Sequence, residues 1–155
     1  MKDNRITTAK NRVFTSGYFS VGANNPISLK TDNKYAYRTT GLSQIEDIIE
    51  CGYVRPKLGK LKGGHINEVF WSKGNEKLFY CDKRPVLEVL IDKIYDGKIG
   101  ALSIYDLSAI YIFDEDKNKY IDKKDFYIKQ YEIKKLKNLK SVIINNTEVE
   151  KSKTK

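Results

Sequence analysis

The chain has 155 residues, of which 40% are apolar and 32% charged, with a formal net charge of +9. That is the size of one domain around one core, and no run approaches the roughly 18 consecutive apolar residues of a membrane-spanning helix. The 11 Tyr and 6 Phe supply enough bulk to fill a core, which excludes a fully disordered chain.

The charge is unevenly spread. Residues 1–116 carry 17 basic and 15 acidic side chains, whereas Lys117 to Lys155 carry 12 Lys against 5 acids. A basic segment of this kind attracts nucleic acid, an anionic surface or an acidic partner protein. Every cation in it is Lys, and Arg, the better fork for phosphates and base edges, is absent. Cys51 and Cys81 stand in no metal or redox spacing, and with a single His no structural zinc site or other metal site is expected. The polar start, Met1 to Lys10, has no apolar stretch of the secretory kind. The expectation is a cytoplasmic protein or a delivered effector, alone or within a longer chain.

In chain order, residues 1–11 read as a flexible lead. Arg12 to Val21 is aromatic and β-branched, a strand or bent hairpin, and Gly22 to Pro26 a turn. Lys34 to Thr39 predicts a strand, with Tyr35 and Tyr37 on one face and Arg38 on the other. The clearest helix spans Ser43 to Cys51. Ser43 and Glu46 have capping-box spacing, Ile45, Ile48 and Ile49 form one stripe, and Gly52 ends it. A Gly/Lys loop follows Pro56. Strands are expected at Asn67–Ser72, Lys77–Cys81, Pro85–Ile91 and Ser108–Phe113, with about one helical turn between Leu102 and Leu107. Asp125 to Ile133 alternates and reads as a late strand. The pattern fades after Lys134, and residues 148–155 are expected to form a basic polar tail. Strands are not regularly separated by helices, so the expected fold is a single α+β domain over residues 12–147, rich in mixed or antiparallel sheet.

Several residues could carry chemistry. Arg38, at a strand end just before a helix, can grip a diphosphate through its planar fork, or be an ordinary solvated strand-end Arg. His65, in Lys62-Gly-Gly-His-Ile-Asn-Glu68, could work with Glu68 as acid and base, or make a single loop hydrogen bond. Of the adjacent aromatics Phe70 and Trp71, one could wall a flat ring while the other anchors the core. Gln130 and Glu132, two apart on a strand, would share a face, where they could pin a ribose hydroxyl and stabilise a developing cation. Asp114-Glu-Asp116 reads as a turn rather than an ion site.

Taken in order, these pieces resemble the ADP-ribosyltransferase superfamily. Tyr37-Arg38-Thr39 looks like its first, arginine-bearing strand, and Leu42 to Gly52 is similar to the short helix and glycine exit that follow. Phe70-Trp71-Ser72 looks like the central strand element, of which only Ser72 matches the Ser-x-Ser form, and Gln130-Tyr131-Glu132 matches the Q-x-E form of the late motif. The resemblance spans about Lys34 to Ile133. It implies a small toxin- or effector-like enzyme that uses NAD as substrate, needs no metal, and transfers ADP-ribose to a protein or nucleic acid or hydrolyses NAD. Arg38 would hold the diphosphate, Trp71 or Tyr37 would stack on nicotinamide, and Ser72 would steady Arg38 or the ribose. Glu132 would stabilise the oxocarbenium-like ribose, with Gln130 orienting the acceptor. Two other classes stand beside this reading. One is a metal-independent RNase toxin using His65 and Glu68, with the Lys-rich segment tracking RNA. The other is a non-catalytic protein whose basic end docks on an acidic partner.

Overall fold

A computed structural model describes residues 4–14, 34–56, 67–73, 83–94 and 99–153, without the side chains of Phe14, Lys73 and residues 142–153. The expected elements at Gly22–Pro26 and Lys77–Cys81, together with Cys81 and His65, lie outside the described residues. The chain is a single α+β fold. A helical turn α1 (Arg5–Thr8) precedes strands β1 (Lys10–Phe14) and β2 (Tyr35–Thr39), helix α2 (Leu42–Cys51) and the short β3 (Tyr53–Val54). Then come β4 (Glu68–Lys73), β5 (Val86–Leu90), β6 (Leu102–Ser103), β7 (Leu107–Asp114), β8 (Lys119–Asp122) and helix α3 (Lys124–Lys153).

Among the described residues the main sheet has six strands in the order β1-β4-β2-β5-β7-β8. Among the described strands only β1 and β4 pair in parallel, and the other neighbours are antiparallel. β3 and β6 form a separate antiparallel pair. Lys10 and Asn11, expected in a flexible lead, belong to β1. Asn11 is buried, donating to the Gly100 carbonyl and accepting from Trp71 Nε1.

Strand parity divides the sheet into two unlike faces. Ala36, Val69, Trp71, Leu87, Val89 and Ile110 point toward the helices and form the main core with Ile45 and Ile48 of α2. The opposite face carries Tyr37 and Val86, packed with Tyr35, Tyr111 and Tyr120. The alternation at Tyr35-Ala-Tyr-Arg38 is therefore real, with tyrosines on one side and Arg38 on the other.

α2 forms for the expected reason and starts differently. Its Ile45 and Ile48 are buried, and Gly52 takes the left-handed conformation at φ 80°, donating its N–H to the Ile48 carbonyl. The helix begins at Leu42, so Ser43 lies inside the first turn and no side chain caps the start. The Gly41 carbonyl instead accepts from Gln44 and Ile45.

The expected late strand at Asp125–Ile133 is helix α3. Its apolar residues alternate, but the half-buried set packed on the core is Tyr127, Ile128 and Tyr131, spaced for one face of a helix. Asp122 accepts the Lys124 N–H at the start, and Asp125 adds negative charge to the first turn. The helix continues to Lys153, through most of the stretch expected as a tail. β8, not foreseen, pairs with β7 across the turn at residues 115–118, where the Asp114 carboxylate accepts the Asp116 and Lys117 N–H groups.

Candidate functional site

Arg38 ends its strand on the helical face of the sheet, beneath the first turn of α2. Its Nε donates to Gln44 Oε1 at 2.9 Å and a terminal nitrogen donates to the Phe70 carbonyl at 3.1 Å. Gln44 also accepts from the Thr40 hydroxyl and donates to the Arg55 carbonyl. Arg55 grips Asp47 with two nitrogens at 2.9 and 2.7 Å, which pins the β3 approach to α2. The guanidinium of Arg38 is thus fixed in direction by a braced set of groups.

Its electrostatics are unusual. Among the described residues both of its acceptors are neutral, and no carboxylate pairs with it. Burial, and secondarily the positive charge of Arg84, draw its pKa down to about 10. A withdrawn cation normally has an anionic partner, because desolvation is costly. Here a second cation stands nearby instead, which is the arrangement that a bound anion would relieve.

The other expected site residues are not assembled around it. Trp71 shares the helical face but is buried at 1% exposure, its indole N–H donating to Asn11. Ser72 is on the opposite face, since it pairs with Tyr37 in the β2–β4 register, so it does not brace Arg38. Tyr37, also 1% exposed, donates its hydroxyl to Glu88 at 2.6 Å. Neither Tyr37 nor Trp71 presents a ring face for stacking.

Gln130 and Glu132 diverge because they lie on a helix, where two residues span about 200° of arc. Gln130 borders a groove against α2, and Glu132 is exposed beside Tyr105. Tyr105 follows Ile104, which bonds the Gly52 carbonyl, so Glu132 stands at the far end of α2 from Arg38. Gln44 and Gly52 are eight residues apart, about 12 Å along that helix. Glu68 is ion-paired with Arg12 at 3.0 Å, which engages the carboxylate that the nuclease reading needs as its base.

Sequence reasoning missed Glu88. It is 1% exposed in the middle of β5 and accepts from Tyr37 at 2.6 Å and Tyr111 at 3.3 Å. Burial, then the Glu88 carboxylate, push the Tyr111 phenol well up. The signal was present, a lone charge inside the apolar run Val86-Leu-Glu-Val-Leu90. No grouping of three or more metal-binding side chains exists among the described residues, and no described helix is long and apolar enough to cross a membrane. Compared with protein-family models, curated proteins and solved structures, the chain matches none of them.

Proposed function

We propose that this chain binds the diphosphate of NAD through Arg38 and acts in ADP-ribosyl transfer, or in hydrolysis of the same glycosidic bond. The observation that carries the binding half is the directed, partly buried guanidinium of Arg38, held by neutral acceptors beside Arg84. Guanidiniums match phosphate oxygens in pairs, and two of them suit two linked phosphates. The turnover half rests on the resemblance of the short motifs. In that step the bond between the ribose anomeric carbon and nicotinamide breaks, and its electron pair leaves with nicotinamide. The acceptor or water forms the new bond and loses a proton, while a carboxylate stabilises the cationic ribose. Glu132, the carboxylate expected for this step, stands at the other end of α2 from Arg38, too far to reach the anomeric carbon of an NAD held by Arg38, so the step is not assigned to it.

The experiment is nicotinamide release from NAD, with and without cell lysate as acceptor. Arg38→Ala is expected to weaken NAD binding by about tenfold or more, while Glu132→Gln, remote from Arg38, is expected to leave binding and release unchanged. Absence of release from the wild type under both conditions overturns the reading.

A second reading is favoured by α3, whose residues 132–141 are all exposed and Lys-rich. It makes the protein a binding module for an acidic partner, with Arg38 as an anion contact only. NAD binding without turnover, together with a measurable protein partner, would favour it.

A further inference from the structure

We propose that the groove between α2 and α3, continued along the outward face of α3, is a docking surface for an acidic amphipathic helix of a partner protein. The groove has a volume of about 460 Å³ and is lined by Glu46, Ile49, Gln130, Ile133 and Lys134. Its floor is apolar, and it is bridged by the ion pair of Lys134 with Glu50.

α3 uses Tyr127, Ile128 and Tyr131 to pack on the core. On the opposite side, Phe126, Lys129, Ile133, Leu136, Lys137 and Lys140 fall within about 100° of arc. Three of these are large apolar side chains left out in solvent, with Phe126 and Ile133 at 52% exposure and Leu136 at 56%. Leu139, also 56% exposed, lies about 60° outside this stripe, near the line of Ile128. Isolated exposed apolar residues are ordinary, but a periodic stripe joined to a groove is the form of a helix-binding site.

The charge identifies the occupant. Residues 124–141 hold six lysines, Lys124, Lys129, Lys134, Lys135, Lys137 and Lys140, against Asp125 and Glu132. A second copy of this face would bring like charges together, so self-association is disfavoured. An interfacial membrane helix separates a wide apolar face from a charged one, whereas here lysines sit within the apolar stripe. Nucleic acid has no use for Phe126, Ile133 and Leu136, and no Arg is present in the segment. A helix with leucine-type side chains every three or four residues, separated by Asp or Glu, satisfies both halves of the surface. This inference does not depend on NAD chemistry.

The probe is a synthetic helix-forming peptide with leucines at the a and d heptad positions and glutamates elsewhere, labelled for fluorescence anisotropy and titrated with the full chain. The controls are a scrambled peptide of the same composition, a lysine-for-glutamate peptide, phosphatidylserine/phosphatidylcholine vesicles and a single-stranded RNA. The patterned glutamate peptide is expected to bind at least about tenfold more tightly than either control peptide. Leu136→Lys removes an apolar anchor while adding one positive charge, and is expected to weaken binding of the glutamate peptide about tenfold despite that added charge. Lys129→Gln combined with Lys137→Gln is expected to flatten the salt dependence. Both variants change exposed residues, and far-UV circular dichroism checks their fold. Amide-exchange protection on binding is expected at α2 and at residues 126–140. Failure of the patterned peptide to bind overturns the proposal. So does indifference to Leu136→Lys, or tighter binding to vesicles, RNA or a second copy of the chain.

Discussion

Two side chains stand out because each holds a buried or withdrawn charge. Arg38 is fixed by Gln44 and the Phe70 carbonyl, yet its charge has no carboxylate partner among the described residues. A residue kept for stability would be expected to repay its desolvation, and this one does so only through two neutral hydrogen bonds. Arg38→Met is therefore expected to leave the unfolding free energy within about 1 kcal/mol of the parent, or to raise it, while abolishing binding of NAD or pyrophosphate. Urea unfolding and calorimetric titration measure the two effects, and a loss above about 2 kcal/mol would make Arg38 a structural brace. On the other sheet face, the Tyr111 phenol is raised by burial and then by Glu88. A raised phenol stays protonated in the folded state when the unfolded one ionises near its ordinary value of about 10. Above that pH the folded state binds more protons, so stability falls as pH rises. Tyr111→Phe is expected to remove part of this alkaline loss, while costing about 1 kcal/mol near neutral pH for its hydrogen bond to Glu88. Urea midpoints at neutral and alkaline pH decide it, and an unchanged alkaline slope counts against the assignment.

At the level of elements, the junction of α2, α3 and the Gly52 exit holds the helical layer together. Gly52 has φ 80°, and a Cβ there would meet the Tyr131 ring at 2.5 Å. Gly52→Ala is expected to destabilise by about 1–2 kcal/mol from backbone strain, with a further loss as Tyr131 is pushed from its place beside Tyr105. Tyr131→Ala should absorb the steric part, so a double-mutant cycle showing strict additivity would contradict the clash. The same junction shows what could be read from the chain. The Ile45/Ile48 stripe and Gly52 made α2 legible because a helix stripe and a left-handed exit are local requirements. Parity within Tyr35 to Arg38 and Val69 to Ser72 was legible for the same reason. Residues 125–133 were not, because Tyr127, Tyr131 and Ile133 share one strand parity opposite Gln130 and Glu132 while Tyr127, Ile128 and Tyr131 satisfy a helix, and tertiary packing chose the latter. That choice also separates Gln130 from Glu132. The Trp71 role turned on Asn11, which lies 60 positions away and gives no local sign of being its partner. Of the candidate site, only the direction of Arg38 could be read beforehand, while its neutral partners come from α2 and β4.

Across the whole molecule, charge and structure divide in the same place. The first 116 residues are nearly balanced and supply every sheet residue up to Asp114, while the Lys-rich remainder is chiefly α3. That helix packs through Tyr127, Ile128 and Tyr131, and then residues 132–141 are all exposed. Helical turns that bury nothing gain only the small propagation energy of an isolated helix, so cooperativity with the domain should stop near Lys134. Native-state amide exchange is expected to show strong protection through Tyr131, falling steeply by Lys140. Truncation after Thr147 removes outer turns and a net charge of one, since Glu148 and Glu150 leave with Lys151, Lys153 and Lys155. It is expected to lower the far-UV helical signal while shifting the melting temperature by less than about 2 °C, the scale of a few tenths of a kcal/mol in a chain this size. A larger shift, or protection persisting beyond Lys140, would show that the outer half of α3 is bound against the domain and so is not the open surface on which an acidic helix could dock.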